Sequence, residues 1–335
     1  MTRASGDRRV TSADVAREAG VSRATVSYVL NDAPHQKIPE ATRQRVWDAA
    51  ARLGYAPSAA ARTLRMGRSD IVLGLLPDWP IGHVLGRLIQ QLTNALAEYE
   101  LTFLVHSSAH PARPLQEIWK ALTPAAVLAL DEFPEPEADA MRAAGIEVVM
   151  AMHGSTRGEL RPPLVSEEPI GVLQARHLAG SHRRLGYAYP DLTRLDALAQ
   201  PRLDGVRKVC AERGLPEPDV RTVAPEPRSA AEAVQAWLAA DPPVTGICAF
   251  NDDVAMAVLV ALQSLGLRAP EDLAVIGVDD IPSAALAQPP LTTVVRDIDT
   301  IARGLARRIA HTLAGKQVSV DPIQDEPRIR VRKSV

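Results

Sequence analysis

The chain has little that would tie it to an enzyme, a membrane or an oxidising compartment. Only two of its 335 residues are cysteines, Cys210 and Cys248, and they form no C-x-x-C pair. Two reduced, buried thiols are the expectation, and neither a disulfide scaffold nor a thiolate metal site fits them. No run of eighteen apolar residues occurs, so no membrane-spanning helix is expected. The first residues lack the apolar stretch of a secretory leader, and the expectation is a cytoplasmic chain. G-x-S-x-G, P-loop and G-x-G-x-x-G motifs are all missing. His106 and His110 stand four apart, as zinc ligands on a helix would, but Pro111 follows and no third ligand has suitable spacing. The acidic pairs at 252/253 and 279/280 do not make a hydrolase without such a centre. A protein with neither catalytic residues, metal nor cofactor is the expectation.

What is present is a division of charge. Residues 1–68 hold twelve Lys or Arg against six Asp or Glu, whereas the remainder holds 26 against 34, an asymmetry hidden in the whole-chain net charge of −2. A basic end on an acidic body suits phosphate binding by one end, weakening with salt as counterions are released. A length of 335 residues accommodates a small headpiece and a large body.

Within the basic end, residues 11–31 read T-S-A-D-V-A-R-E-A-G-V-S-R-A-T-V-S-Y-V-L-N. Thr11 caps a first helix, with Asp14 at the third helical position of a capping box. Val15, Ala16 and Ala19 share one face, and Gly20 follows where a residue of positive φ ends a helix. Ser22 caps a second helix whose Val26, Val29 and Leu30 point back at the first, leaving Arg23, Ala24, Ser27 and Tyr28 facing outward. A helix, a glycine turn and a helix with a polar first turn is the arrangement that reads base edges in the major groove. Pro39 opens a third helix with a Val46, Ala49, Ala50, Leu53 stripe, which Gly54 ends. Residues 57–69 are too short and too basic for a core of their own and read as a linker that orders on a partner.

Val10 to Ser69 resembles the lactose-repressor and galactose-repressor family of bacterial transcription regulators. The matching residues are V-S-R-A-T-V-S at 21–27, L-N at 30–31, T-R-Q-R-V at 42–46, L-G-Y at 53–55, and Ala61 with Leu64. The resemblance implies a headpiece over 1–56 and a hinge helix over 57–69 that pairs with its dimer mate in the minor groove, Leu64 wedging into the central base step. It implies that Arg23, Ala24 and Tyr28 read the major groove and that Thr25 and Ser27 hold phosphates. Thr11, Ser22, Asn31, Ser58 and Ala61 join them as DNA contacts. Three positions depart from the family pattern: Ile38 replaces a common capping serine, Ser58 stands where a hinge asparagine is usual, and Tyr28 occupies a base-reading position often held by arginine or histidine.

From residue 70 strands and helices alternate. Apolar runs at 71–76, 102–105, 125–130 and 146–151 are separated by helix-length stretches, of which 83–99 has the clearest 3.6-residue stripe. After R-P-P-L-V-S at 161–166 the rhythm restarts, with runs at 184–189, 220–224, 245–250 and 273–278. Two doubly wound parallel-sheet lobes follow, with their strand ends around one cleft. The body, 70–335, resembles the periplasmic sugar-binding-protein fold that forms the effector domain of the same family. That implies lobe 1 over about 70–164 and 296–321, and lobe 2 over about 165–295 and 322–335.

Three motifs in the second half carry this resemblance: P-R-L-D-G at 201–205, F-N-D-D-V-A at 250–255, and V-I-G-V-D-D at 275–280 with P-P-L-T-T-V at 289–294. Family effector positions match Arg202, near a helix start, and Asn251 and Asp279, at strand ends; these side chains suit a polar ligand. Asp252 reads as the cap of the following helix and Asp280 as a turn residue. In the first lobe, P-D-W-P at 77–80 offers Asp78 and Trp79 as a carboxylate and a stacking face, and Arg296 stands at the return crossing. S-E-E at 166–168 replaces the family's usual acidic pair. The implied partners are double-stranded operator DNA, a second copy of the chain, and a small polar metabolite such as a sugar, with no membrane.

Overall fold

The computed structural model describes residues 10–30, 38–55, 69–107, 114–132, 134–153, 163–319 and 321–335. Asn31, Ser58, Ala61, Leu64 and most of the linker lie outside these described residues. The chain separates into two compact units, Met1–Ser69 and Asp70–Val335.

Among its described residues the first unit packs three helices, α1 (Ser12–Ala19), α2 (Arg23–Leu30) and α3 (Glu40–Leu53). Their stripes meet in one small core of Val15, Ala16, Ala19, Val26, Val29, Val46, Ala49 and Ala50. Gly20 and Gly54 end α1 and α3 at φ 66° and 61°, a left-handed conformation that glycine adopts without a Cβ penalty. The next residue closes each turn: the Val21 N–H donates to the Ala16 carbonyl at 3.0 Å and Tyr55 to Ala50 at 2.8 Å, satisfying carbonyls the helix leaves open.

The second unit contains two sheets. The first has the order β2-β1-β3-β4, all parallel, from β1 (Ile71–Leu76), β2 (Thr102–Ser107), β3 (Ala126–Ala129) and β4 (Val148–Ala151). Helices α4 (His83–Ala97), α5 (Leu115–Leu122) and α6 (Glu135–Ala143) connect them. The second sheet has the order β10-β9-β8-β7-β5-β6, parallel except for β10. Its strands are β5 (Leu185–Pro190), β6 (Asp219–Val223), β7 (Gly246–Ala249), β8 (Ala274–Val278), β9 (Thr292–Val295) and β10 (Arg328–Arg330). Around it lie α7 (Glu168–Leu178), α8 (Asp196–Glu212), α9 (Pro227–Leu238) and α10 (Asp252–Ser264). The inner parallel strands β1, β3, β7 and β8 are apolar and buried because helices cover both faces, as the fully buried Ala-Val-Ile-Gly-Val of β8 shows.

Three crossings join the lobes. The chain leaves the first sheet after Val165, which is buried in the core of that lobe with Leu128 and Ile301. It returns after β9 into α11 (Ile298–Leu313), whose Ile301, Leu305 and Ile309 pack in the same core. A third passage follows Ile323, whose N–H donates to the Leu164 carbonyl at 2.7 Å, and ends in β10 on the edge of the second sheet. Helices α7 and α8 touch backbone to backbone at Gly171 and Gly205. A Cβ on Gly171 would stand 1.7 Å from the Arg202 carbonyl oxygen, and one on Gly205 2.3 Å from that of Glu168. This close approach brings Arg202 beside the crossing that precedes α7.

Candidate functional sites: a helix-turn-helix face and a cleft between lobes

In the first unit, α2 stands on a strong cap. The Ser22 hydroxyl oxygen accepts the Thr25 backbone N–H at 3.0 Å and lies 2.9 Å from the Thr25 hydroxyl. Val26 and Val29 are buried, while Arg23, Ala24 and Tyr28 are exposed and Thr25 and Ser27 half-buried. The helix thus presents a guanidinium, a methyl, a phenol and the flank of two hydroxyl residues from its first two turns, where unpaired backbone N–H groups also favour anions. Thr11 is committed locally, since its backbone N–H and its hydroxyl both donate to the Asp14 carboxylate, at 3.0 and 2.7 Å.

In the second unit, a cavity of about 600 Å³ opens between the lobes, bounded by Trp79, Leu85 and His153 on one side and by Leu192, Phe250, Asn251 and Asp279 on the other. Its floor is a buried charge network. Glu167, on the first crossing, receives Arg202 at 2.7 and 2.8 Å through one oxygen and Arg296 through the other. Arg202 also donates to the Phe250 carbonyl at 2.7 Å and lies 4.7 Å over the Phe250 ring. Arg296, on the second crossing, forks onto Asp325 on the third at 2.8 and 2.9 Å and donates to the Ser166 carbonyl at 3.2 Å. One residue from each crossing therefore joins a single ionic knot.

The electrostatics follow from that arrangement. Burial pushes the Glu167 carboxyl up, but the Arg296 and Arg202 guanidiniums outweigh it and hold the group near 2. Burial lowers His153, with the Glu167 charge opposing. Asp279 is raised by burial against the pull of Arg202. It follows β8 with φ 107°, and Asp280 follows at φ 51°, two non-glycine residues held in a sparsely populated region. The Asp279 N–H donates to the Val294 carbonyl at 2.8 Å, and Asp280 is tied to Arg330 at 2.5 Å and Arg332 at 2.6 Å. The loop is thereby fixed with Asp279 on the cavity wall.

Several sequence expectations are corrected. Asp78 does not border the cavity: it is half exposed and pairs across the cleft with Arg194 at 2.7 Å. Trp79 borders it, yet it packs among core side chains of both lobes and donates its indole N–H to the Arg194 carbonyl at 2.8 Å. The cap of α10 is Asn251, whose side-chain oxygen accepts the Val254 N–H at 3.0 Å. Asp252 instead turns inward, accepting the Thr293 hydroxyl at 2.6 Å and the Ile281 N–H at 2.9 Å. Burial and neighbouring carboxylates raise it to about 7, although the Thr293 bond opposes them. Arg202 is not near a helix start, because α8 begins at Asp196 and contains Pro201. Arg296 lines the cavity but is largely consumed by the knot. Glu167, which receives both arginines, and Asp325, which receives Arg296, belong to none of the motifs that mark the site in the sequence. The signal available was an acid on each crossing that flanks Arg296.

Known proteins place these features together. Residues 11–58 match the family model of bacterial regulatory proteins of the lacI family, and residues 175–335 that of the periplasmic binding protein-like domain. The transcriptional regulator GntR of Pseudomonas aeruginosa is 30% identical over 326 residues, covering 95% of this chain and 92% of its own length. The transcriptional repressor PurR of Mannheimia succiniciproducens is 26% identical over 331 residues, covering 96% and 97%. Among solved structures, the lac repressor dimer bound to operator and the anti-inducer ONPF superposes with a TM-score of 0.79 at 23% identity, covering 98% of this chain and 99% of that one. A complex of the transcriptional regulator CelR with cellobiose gives 0.64 at 25% identity, covering 98% and 100%. The helix-turn-helix unit, the two-sheet α/β body and a near-full-length relative at this identity agree: the chain belongs to the lacI family of bacterial regulatory proteins, DNA-binding regulators of transcription.

Proposed function

We propose that the chain is a cytoplasmic repressor that binds a near-palindromic operator as a homodimer, with a small molecule in the interlobe cleft setting its affinity. The observation that carries the reading is the coexistence, in one chain, of a capped helix with an outward polar face and a ligand-sized cavity walled by both lobes. Arg23, Ala24 and Tyr28 supply base contacts, Thr25 and Ser27 phosphate contacts, with half-sites about 34 to 36 Å apart or a multiple of that. Pairing of two chains is supported by the dimer seen in the lac repressor structure. It is also supported by β2, an edge strand that leaves Leu104 and Val105 each 38% exposed.

Control follows from the knot. All three crossings meet at Glu167 and Arg296, so a ligand that changes the angle between lobes must rearrange that cluster. The ligand alters operator affinity only through its different affinities for the two body conformations, typically about 1 to 3 kcal/mol of coupling. Selection of duplexes from random DNA with the purified chain tests the reading. Enrichment of an inverted repeat, with retention changed by a cleft ligand, is expected; no preference over scrambled duplex would overturn it.

A further inference from the structure

The charged groups on the floor of the cleft are largely committed to one another. All three nitrogens of Arg202 are engaged, by Glu167 and the Phe250 carbonyl, and all three of Arg296, by Glu167, Asp325 and the Ser166 carbonyl. Both Glu167 oxygens accept from these guanidiniums, and the Asn251 oxygen is bound to the Val254 N–H. Asp279 is different. Its carboxylate faces the cavity and has no hydrogen bond among the described residues, and a strained backbone holds it there.

The rest of the wall is mainly hydrocarbon. Leu85 comes from α4, Leu192 from the segment after β5, Leu198 from the first turn of α8, Val223 from the end of β6, and Met256 and Val260 from α10. Val260 is 47% exposed, a large aliphatic side chain left uncovered on the cavity wall. A polyhydroxylated ligand would set most of its hydroxyls against these groups, and each buried hydroxyl without a partner weakens binding. An apolar body instead removes wall and ligand from water together.

We propose that the cleft takes a small amphipathic molecule with an aliphatic or aromatic body and one hydrogen-bond-donating end, an amine or a hydroxyl, seated on Asp279. The inference rests on the reading of the cleft as the effector site and names its ligand class. The polar end lies at the close of β8, near the crossings, and the body reaches toward α10 and the segment after β5. The donor bonds to the Asp279 carboxylate, and Arg202, held by Glu167, does not compete for it with a hydrogen bond.

The test is calorimetry on the full chain with n-alkylamines and n-alkanols from butyl to decyl, beside glucose and cellobiose, with operator retention measured in the same titrations. Affinity should rise about fourfold per added methylene until the cavity is filled, following the transfer free energy of one CH₂. Asp279→Asn should weaken the amines at least tenfold and the alkanols less. Val260→Ser, on an exposed position that leaves folding intact, should weaken the decyl compounds and not the butyl ones. Affinity independent of chain length, tighter binding of either sugar, or no binding by either alkyl series overturns the proposal. If Asp279→Asn leaves both series unchanged, Asp279 is not the seat of the polar end. Alkyl binding without any change in operator retention leaves the ligand class standing and removes the effector role; a retention response to sugar alone does the reverse.

Discussion

Glu167 illustrates how one side chain is asked to hold two arginines in place. A buried carboxylate is unfavourable by itself, and here two guanidiniums reverse the balance. Because its folded value, about 2, lies below the usual 4.5, its contribution to stability is present above about pH 4.5 and is lost as pH falls through about 2. Asp252 has the opposite sign: raised from 3.8 to about 7, it contributes below 3.8, and that contribution is lost as pH rises through about 7. Glu167→Gln leaves two buried guanidiniums undercompensated and should cost about 3 to 5 kcal/mol near neutrality, with a smaller loss at acid pH. Urea midpoints at a series of pH values check this, and a pH-independent difference would contradict it. On the DNA face, Arg23→Ala should relax sequence preference at one operator position by about 1 to 3 kcal/mol with the helical spectrum unchanged, read by competition with operator variants. An equal loss on every sequence would make Arg23 a phosphate contact.

At the scale of elements, the contact between α7 and α8 positions the cleft. Gly171 and Gly205 allow the helices to meet with no side chain between them, and the backbone so placed includes the Arg202 carbonyl. Gly171→Ala drives a methyl into that oxygen, so the helices must separate. The expected destabilisation is about 1 to 3 kcal/mol, with cleft-ligand affinity reduced more than stability alone explains. Thermal unfolding and calorimetry on one preparation measure both, and a stable protein with unchanged affinity would refute the positioning role.

Elements with one dominant signal were legible in the sequence. The run at 71–76 coincides with β1, and the caps at Thr11, Ser22, Gly20 and Gly54 mark α1 to α3, because both signals are local. Strand β10 carries no apolar run that would mark it, because it has only three residues, Arg328–Arg330, and alternates charge on an edge. The sequence alone points to Asp252 as the cap because Asn and Asp compete for that role when adjacent. Which one caps depends on Gly277, whose missing side chain makes room for the Asp252 carboxylate.

For the whole molecule, the two units differ in charge as they do in architecture, and the ionic knot gathers all three passages between lobes. The fold class and the helix-turn-helix unit could be read from short motifs. The partners of Arg202 and Arg296 could not, since Glu167, Arg296 and Asp325 are brought together only by tertiary crossings separated by 129 and 29 residues. Salt should weaken operator binding steeply, because the positive charge resides in the unit that meets phosphate.

Reciprocity between cleft and operator tests the central claim most directly. With a cleft ligand identified, operator affinity is measured with and without saturating ligand, and ligand affinity with and without operator. The account predicts that both ratios equal one factor between about 5 and 150. Unchanged operator affinity at ligand saturation, in the presence of a specific inverted repeat, would contradict it.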